Sequence, residues 1–149
     1  MERTRTIWIL NGPGLNLLGE REPAIYGTTT LDQVVEACRK RAAELGFDIE
    51  ARQTNHEGEL VGWLQEARLR AAGIVLNPAA FTHYSYALRD AVVSAQVPVV
   101  EVHISNIHAR EEFRRHSVIS PVAKGVIAGL GPHGYLLAIE ALAELLGPA

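Results

Sequence analysis

Two pairs of side chains in this sequence have the types and spacing that acid–base chemistry needs. Arg21 and Tyr26 stand five residues apart in a charged segment, residues 19–27, that contains a proline and ends on a glycine. A loop can fold so that the guanidinium faces the phenol oxygen. A free tyrosine ionises only near about pH 10, and one unit charge about 4 Å away at an effective dielectric near 20 supplies roughly 4 kcal/mol toward that ionisation. The pair predicts a phenolate base on a mobile lid; the alternative is a surface loop anchored by an aromatic side chain.

The second pair is Glu101 and His103, which are two residues apart in an apolar, strand-like run. Residues two apart on a strand share a face, so the carboxylate can lie beside the imidazole. That neighbour fixes the tautomer of the ring and favours its protonated form. The pair predicts a general acid, and a satisfied polar pair within a core is the alternative.

Further polar groups follow the ends of apolar runs. Asn77 comes directly after such a run and could stabilise a polarised oxygen, as oxyanion donors do. Backbone N–H groups at Ile104 and Ser105 open a turn and could bind a carboxylate, to which Arg114 would add positive charge. For Asn11, which precedes a Gly-Pro-Gly turn, a turn preference and a ligand contact are equally open.

Strands that alternate with helices must position these groups. Short apolar runs predict five strands, and apolar residues at helical spacing predict the helices between and after them. We expect a doubly wound parallel sheet with flavodoxin-like strand order, in a three-layer α/β/α arrangement with right-handed connections. The predicted strands are residues 6–10, 47–52, 74–76, 97–102 and 122–128, and the predicted helices are residues 31–45, 60–71, 88–95 and 131–146.

Ligands of such sheets bind beyond the carboxyl ends of the strands, at the switch point beside the first and third strands. The predicted topology brings Asn11, residues 19–27, Asn77, His83 and residues 101–105 to that edge. A small-molecule site is therefore expected there. The last helix is apolar nearly all the way round, which predicts that it packs on more than one side, as in a homo-oligomer.

Composition limits the class of protein. The chain has 149 residues, 21% charged residues and a formal net charge of -3, so we expect a single catalytic domain over residues 1–149 with neither a nucleic-acid nor a membrane partner. The lone Cys38 excludes an internal disulfide, and its place on an apolar helix stripe predicts a small buried hydrophobe. No cationic segment followed by an apolar run opens the chain, and we expect a cytoplasmic protein.

The residues do not favour a metal or a cofactor. The six histidines show no two-on-a-helix pattern with a glutamate, so no metal centre is predicted. The two lysines, Lys40 and Lys124, lie away from the polar cluster, which argues against an imine. The first turn lacks a dinucleotide fingerprint, because Leu17 stands where the third glycine would and Pro13 has no N–H for a phosphate. A flavin- or nucleotide-binding flavodoxin-like module remains the alternative function.

Five motifs occur in a fixed order along the chain: Asn11-Gly12-Pro13-Gly14-Leu15-Asn16, Arg21-Glu22-Pro23 with Tyr26-Gly27, Asn77-Pro78-Ala79-Ala80-Phe81-Thr82-His83, Glu101-Val102-His103-Ile104-Ser105-Asn106, and Phe113-Arg114. In this order they resemble the type II 3-dehydroquinate dehydratases, and the resemblance spans nearly the whole chain. It implies anti elimination of water from 3-dehydroquinate to 3-dehydroshikimate in the shikimate pathway of aromatic biosynthesis. The implied reaction passes through an enolate and uses no cofactor.

The resemblance also implies roles for the reacting residues. Tyr26 would remove the C2 proton, and Arg21 would keep the phenol of Tyr26 ionised. His103, held by Glu101, would protonate the departing hydroxyl. Asn77, together with Asn11 and an ordered water, would stabilise the enolate oxygen.

Other positions would bind substrate or connect subunits. The resemblance places His83, Ile104, Ser105 and Arg114 around the substrate's hydroxyls and carboxylate. Asp90 matches a residue that reaches in from an adjacent subunit of a dodecamer built from trimers. Three aromatic residues stand where many relatives are expected to carry other side chains, and we expect them to affect affinity and not the reaction: Phe81, Tyr84 and Tyr86.

Overall fold

A computed structural model describes residues 4–148 of the chain. Its strands are short, and helices connect them. Most strands are runs of apolar residues, as predicted, whereas the strand over residues 48–53 is largely polar. The strands are β1 (Thr6–Asn11), β2 (Asp48–Gln53), β3 (Gly73–Asn77), β4 (Val99–His103) and β5 (Gly125–Ala128). The helices are α1 (Pro23–Tyr26), α2 (Leu31–Glu44), α3 (Glu57–Arg70), α4 (Tyr86–Ala95) and α5 (His133–Leu146).

The five strands form one parallel sheet in the order β2-β1-β3-β4-β5. This is the predicted flavodoxin-like order, and the prediction of a doubly wound α/β fold is confirmed. The order in which strands are added to the sheet reverses between the parallel neighbours β1 and β3, where Asn11 is in register with Asn77. The two asparagines that end these strands therefore lie side by side at the switch point.

Side chains that alternate along each strand supply two apolar cores, one on each face of the sheet. Ile7 and Ile9 of β1 pack with α2 and α5, whereas Trp8 and Leu10 pack with α3 and α4. Cys38 of α2 is fully buried in the first core, as predicted. Burial raises the pKa of its thiol to about 12, so the group remains an uncharged hydrophobe at neutral pH.

Several predicted boundaries move for identifiable reasons. The lid segment is predicted as a loop, yet Pro23 at the first helical position starts the one-turn helix α1. Strand β4 begins at Val99 and not at residue 97, because Gln96 adopts a left-handed conformation (φ 57°) that ends α4 and Pro98 follows. Strand β5 begins at Gly125, since Ser120–Val122 forms a 3-10 helix; Lys124 therefore precedes the strand that was predicted to contain it.

The last helix, α5, buries one face and leaves the other accessible. Tyr135, Ala138, Ile139 and Leu142 are fully buried, whereas Leu145 is 48% exposed. A homo-oligomer contact on this helix stays a prediction. Within residues 4–148, no helix is long and apolar enough to cross a membrane.

A close backbone contact joins the turns that follow β1 and β3. The Gly12 N–H donates to the carbonyl oxygen of Asn77 at 2.8 Å. A Cβ atom at Gly12 would lie 2.5 Å from the carbonyl oxygen of Pro78, so only glycine fits this position. This contact fixes the turn of residues 77–83 against the first turn, and both turns contribute to the site described next.

Candidate active site

One cavity lies beyond the carboxyl ends of β1, β3 and β4, at the predicted edge of the sheet. The lid and the turns after these strands form its walls. It is lined by most of the residues that the sequence singles out: Arg21, Tyr26, Asn77, His83, His103, Ile104, Ser105 and Arg114. Three predicted residues, Asn11, Glu101 and Asp90, do not line it.

The phenol of Tyr26 contacts an arginine, but it is not the predicted one. Arg110 donates from Nη1 to the Tyr26 oxygen at 2.6 Å, and its guanidinium carbon lies 5.5 Å from the centre of the ring. Arg21 instead forms a 3.6 Å ion pair with Glu22 at the protein surface. The predicted contact between Arg21 and Tyr26 is therefore wrong in this structure. Closeness in sequence to Tyr26 favours Arg21 as the partner of the phenol, whereas Arg110 reaches the phenol from the turn that follows β4.

His103 and Glu101 form the predicted pair at the end of β4. The Nε2 atom of His103 lies 2.5 Å from a carboxylate oxygen of Glu101. Glu101 is fully buried and His103 is 5% exposed, so the carboxylate sits behind the imidazole and not in the cavity. An N–H at Nε2 donates to Glu101, which leaves Nδ1 as the ring nitrogen that can exchange a proton with a bound molecule.

Three hydroxyl groups surround the buried carboxylate of Glu101. Thr82 donates at 2.5 Å, Ser120 at 2.6 Å and Ser117 at 3.0 Å. Burial alone would raise the pKa of Glu101. The hydrogen bond and charge of His103, with the hydroxyls of Ser120 and Thr82, outweigh burial and hold the pKa of Glu101 below its usual value. The carboxylate thus stays ionised in the core, where it can stabilise a protonated His103.

Asn77 presents its side chain to the cavity, whereas Asn11 is fully buried beneath it. The two amides are connected through the phenol of Tyr135, at 2.9 Å from Asn77 Nδ2 and 2.7 Å from Asn11 Oδ1. The prediction that Asn11 is a catalytic contact is therefore corrected. Asn11 lies one side chain further from the cavity, because its Nδ2 is turned back to the carbonyl oxygen of Arg52.

His83 and Arg114 complete the polar wall. The Nδ1–H of His83 donates a hydrogen bond to the carbonyl oxygen of His116 at 2.7 Å. Burial lowers the pKa of His83, so the ring is neutral near pH 7 and its Nε2 is an acceptor. Arg114 donates to Glu111 at 2.5 Å while lining the cavity. Asp90 lies on the exposed face of α4, outside the cavity formed by its own chain.

Three guanidinium groups therefore border one cavity, together with a neutral histidine, a carboxamide and an imidazole backed by a carboxylate. Such a set suits a small polyhydroxylated anion. The phenol and the imidazole supply two groups that can move protons. Across residues 4–148, no cluster of three or more His, Cys, Asp or Glu side chains could hold a metal ion.

Comparisons with known proteins agree with this geometry. The family model for Dehydroquinase class II matches residues 5–143. The chain belongs to the class II dehydroquinase family. A 3-dehydroquinate dehydratase of Brucella canis is 57% identical over 142 residues, which cover 95% of this chain and 90% of the relative.

Solved structures show the same family likeness. The crystal structure of type II dehydroquinase from Propionibacterium acnes superimposes with a TM-score of 0.91 at 50% identity, covering 97% of this chain and 99% of the other. A 3-dehydroquinate dehydratase-like protein from Bifidobacterium longum gives a TM-score of 0.72 at 38% identity, covering 97% and 98% of the two chains. The chain thus shares the fold of these proteins along nearly its whole length.

Several residues of this site are not indicated by the sequence. Arg110, Ser117 and Ser120 lie in the irregular segment between β4 and β5, where no periodic pattern predicts the direction of a side chain. Tyr135 falls on the apolar face of α5, so its pattern predicts core packing alone. The hydroxyl of Tyr135 is the one feature that indicates a further role, because a phenol buried in an otherwise apolar helix face needs a hydrogen-bond partner.

Proposed function

We propose that this protein is a 3-dehydroquinate dehydratase, a hydro-lyase of the shikimate pathway that forms a carbon–carbon double bond by removing water from 3-dehydroquinate. The observation that carries the proposal is one cavity lined by both Tyr26, in contact with Arg110, and His103, in contact with Glu101. The substrate requires these two functions. A proton must leave the carbon next to a ketone, and a hydroxyl must leave the adjacent carbon as water.

Tyr26 takes the part of the base. As a phenolate, it removes a proton from C2, and the electron pair of the broken C–H bond moves toward the C3 carbonyl to give an enolate. The Arg110 guanidinium, 2.6 Å from the phenol oxygen, donates a charge-assisted hydrogen bond to it. Asn77 lies on the cavity wall and donates an N–H to the developing negative charge on the enolate oxygen.

His103 takes the part of the acid. The enolate electrons return to form the C1–C2 double bond as the C1–O bond breaks, and the imidazolium gives its proton to the departing hydroxyl, which leaves as water. Glu101 stabilises the imidazolium before this transfer. After each turnover Tyr26 holds one extra proton and His103 lacks one, so exchange with solvent restores both groups. No metal, imine or organic cofactor takes part in this scheme.

The remaining wall would hold the substrate. His83, Arg114, Ser105 and Ile104 are assigned to its hydroxyls and carboxylate, as the resemblance implies, and Arg21 brings further positive charge on the lid. Asp90 is exposed on α4, which fits a contribution to the site of an adjacent subunit. We further propose that residues 1–149 act as a single catalytic domain within a cytoplasmic dodecamer built from trimers.

The function is tested by following the absorbance of the conjugated enone product after the purified protein receives 3-dehydroquinate. Parallel samples are treated with a chelator and with borohydride in the presence of substrate. We expect turnover in all samples, since the scheme uses neither metal nor imine. A protein that produces no enone, but whose melting temperature rises with a flavin or nucleotide, would belong to the alternative class of binding modules.

Replacing Arg110 by alanine should lower kcat by about tenfold to a hundredfold, because a hydrogen bond to a charged group contributes about 1.5–3 kcal/mol. The phenolate would lose the hydrogen bond and the positive charge of its guanidinium neighbour. Arg21→Ala is the matched control: it removes a guanidinium from the same cavity but not from the phenol. A larger loss of kcat in Arg21→Ala than in Arg110→Ala would reverse the assignment of the two arginines.

A further inference from the structure

A chain of hydrogen bonds runs from the cavity into the core, and the direction of each bond can be deduced. Asn11 Nδ2 donates to the carbonyl oxygen of Arg52 at 3.2 Å, so Asn11 Oδ1 is the atom that faces Tyr135. An amide oxygen only accepts, and therefore the Tyr135 hydroxyl donates its single proton to Asn11 at 2.7 Å. The phenol oxygen is then left as an acceptor for Asn77.

The orientation of the Asn77 amide follows from the same reasoning. Its Oδ1 accepts the backbone N–H of Ala79 at 3.0 Å, and its Nδ2 donates to the Tyr135 oxygen at 2.9 Å. The Nδ2 atom has two protons, and one of them is used by Tyr135. The second proton is the one that Asn77 can offer to a molecule in the cavity. Tyr135 thereby determines that Asn77 presents a donor there and not an acceptor.

We propose that Tyr135 is a positioning residue for the dehydration reaction. Its buried hydroxyl, itself oriented by Asn11, holds the Asn77 carboxamide with the nitrogen toward the reacting oxygen. The inference rests on the proposed function, in which Asn77 donates to the enolate. An amide rotated by half a turn would place Oδ1 next to that anion and repel it.

The burial of the three groups explains why this orientation is maintained. Tyr135 and Asn11 are fully buried and Asn77 is 3% exposed, so water does not compete for their hydrogen bonds. The groups come from three elements, β1, β3 and α5, which pack together in the core. The backbone at Ala79, in a left-handed conformation with φ 51°, aims its N–H at Asn77 and holds the amide from the other side.

The test is a double-mutant cycle on kcat with Tyr135→Phe and Asn77→Ala. Tyr135→Phe is expected to lower kcat by about tenfold to a hundredfold, less than the roughly 10²–10³-fold loss typical of deleting an oxyanion donor. KM should change by less than about threefold. In the Asn77→Ala background, Tyr135→Phe should change kcat by less than about twofold, because its partner is gone. Independent effects in the double variant, or a normal kcat in Tyr135→Phe, would overturn the proposal.

A control variant separates positioning from loss of stability. Ile74→Val destabilises the buried sheet at the amino end of β3, away from the cavity, and should lower the melting temperature with kcat unchanged. A loss of kcat in Ile74→Val at its own stable temperature would assign the effect of Tyr135→Phe to stability.

Asn11→Ala supplies a second cycle if Tyr135→Phe does not fold. It leaves the phenol without its acceptor, so the hydroxyl is free to turn its proton toward Asn77. We expect Asn11→Ala to lower kcat in the wild-type background and to have little effect on kcat in the Asn77→Ala background. Additive losses of kcat would contradict the positioning role. The proposed function is tested separately. If the wild-type protein forms no enone, the proposed function is wrong. If the wild type is active but the losses of kcat are additive in both cycles, only the role of Tyr135 is wrong.

Discussion

Tyr26→Phe is expected to lower kcat by about three decades and to leave the fold intact. The substitution deletes the oxygen that accepts the C2 proton in the proposed mechanism, and general acid–base catalysis contributes typically 10²–10⁴-fold. Three decades correspond to about 4 kcal/mol in the activation free energy. Tyr26 is only half-buried on the lid, and its phenol bonds to Arg110, so removal of the oxygen should barely change the free energy of unfolding.

The measurement is steady-state formation of the enone, with the melting temperature recorded for the same sample. Arg110→Ala provides a useful comparison, because it keeps the base and removes only its neighbour; its loss should be at least tenfold smaller. Exchange of the substrate's C2 proton with solvent gives an independent readout, since it reports proton removal without the later step. Exchange at the wild-type rate in Tyr26→Phe would show that another group is the base.

The strand order and the edge of the sheet that holds the cavity could be deduced from the sequence because they depend on patterns of many residues. Each apolar run between turn residues predicts a strand, and the alternation with helices restricts the topology to a doubly wound sheet. The end of β3 at Asn77 and the end of β4 at His103 then follow from the chain itself. Since parallel strands end at one edge, the polar residues that follow them must be neighbours.

Contacts made by irregular segments could not be deduced in this way. Arg110 and Tyr26 are 84 residues apart, and each lies in or beside a single turn of helix whose direction depends on packing. Proximity along the chain favoured Arg21, yet the lid turns at Glu22, in a left-handed conformation with φ 43°, and Arg21 pairs with that residue. The direction of one short turn in the lid therefore decides which guanidinium contacts the phenol of Tyr26.

The hydroxyl groups around Glu101 show the same limit. Ser117 and Ser120 precede β5 in a segment that was partly predicted as strand, and Thr82 lies in a 3-10 turn after β3. The sequence indicates that a buried carboxylate needs partners, but not which side chains supply them. Asn11 illustrates the converse, because the family resemblance implies a role for it in the site while its side chain is fully buried.

His103→Ala is the second variant expected to lose about three decades of kcat. It removes the imidazole that protonates the departing hydroxyl in the proposed mechanism, and hydroxide is a poor leaving group without that proton. Removal of the imidazole leaves Glu101 buried with its three hydroxyl donors, which satisfy the carboxylate in part and should allow the protein to fold. Unlike Tyr26→Phe, this variant should still exchange the C2 proton with solvent, since the base and Asn77 are intact.

Glu101→Gln tests the contribution of the carboxylate of Glu101 while leaving the proposed proton donor, His103, in place. The amide keeps the size of the side chain but cannot stabilise an imidazolium, so kcat should fall by about a hundredfold, less than in His103→Ala. The pKa of Glu101 lies below its usual value, and the carboxylate is therefore ionised throughout the neutral range in which activity is measured. Its replacement should lower kcat across that whole range. A loss confined to low pH would mean that the charge of Glu101 is not what sustains His103 as the acid.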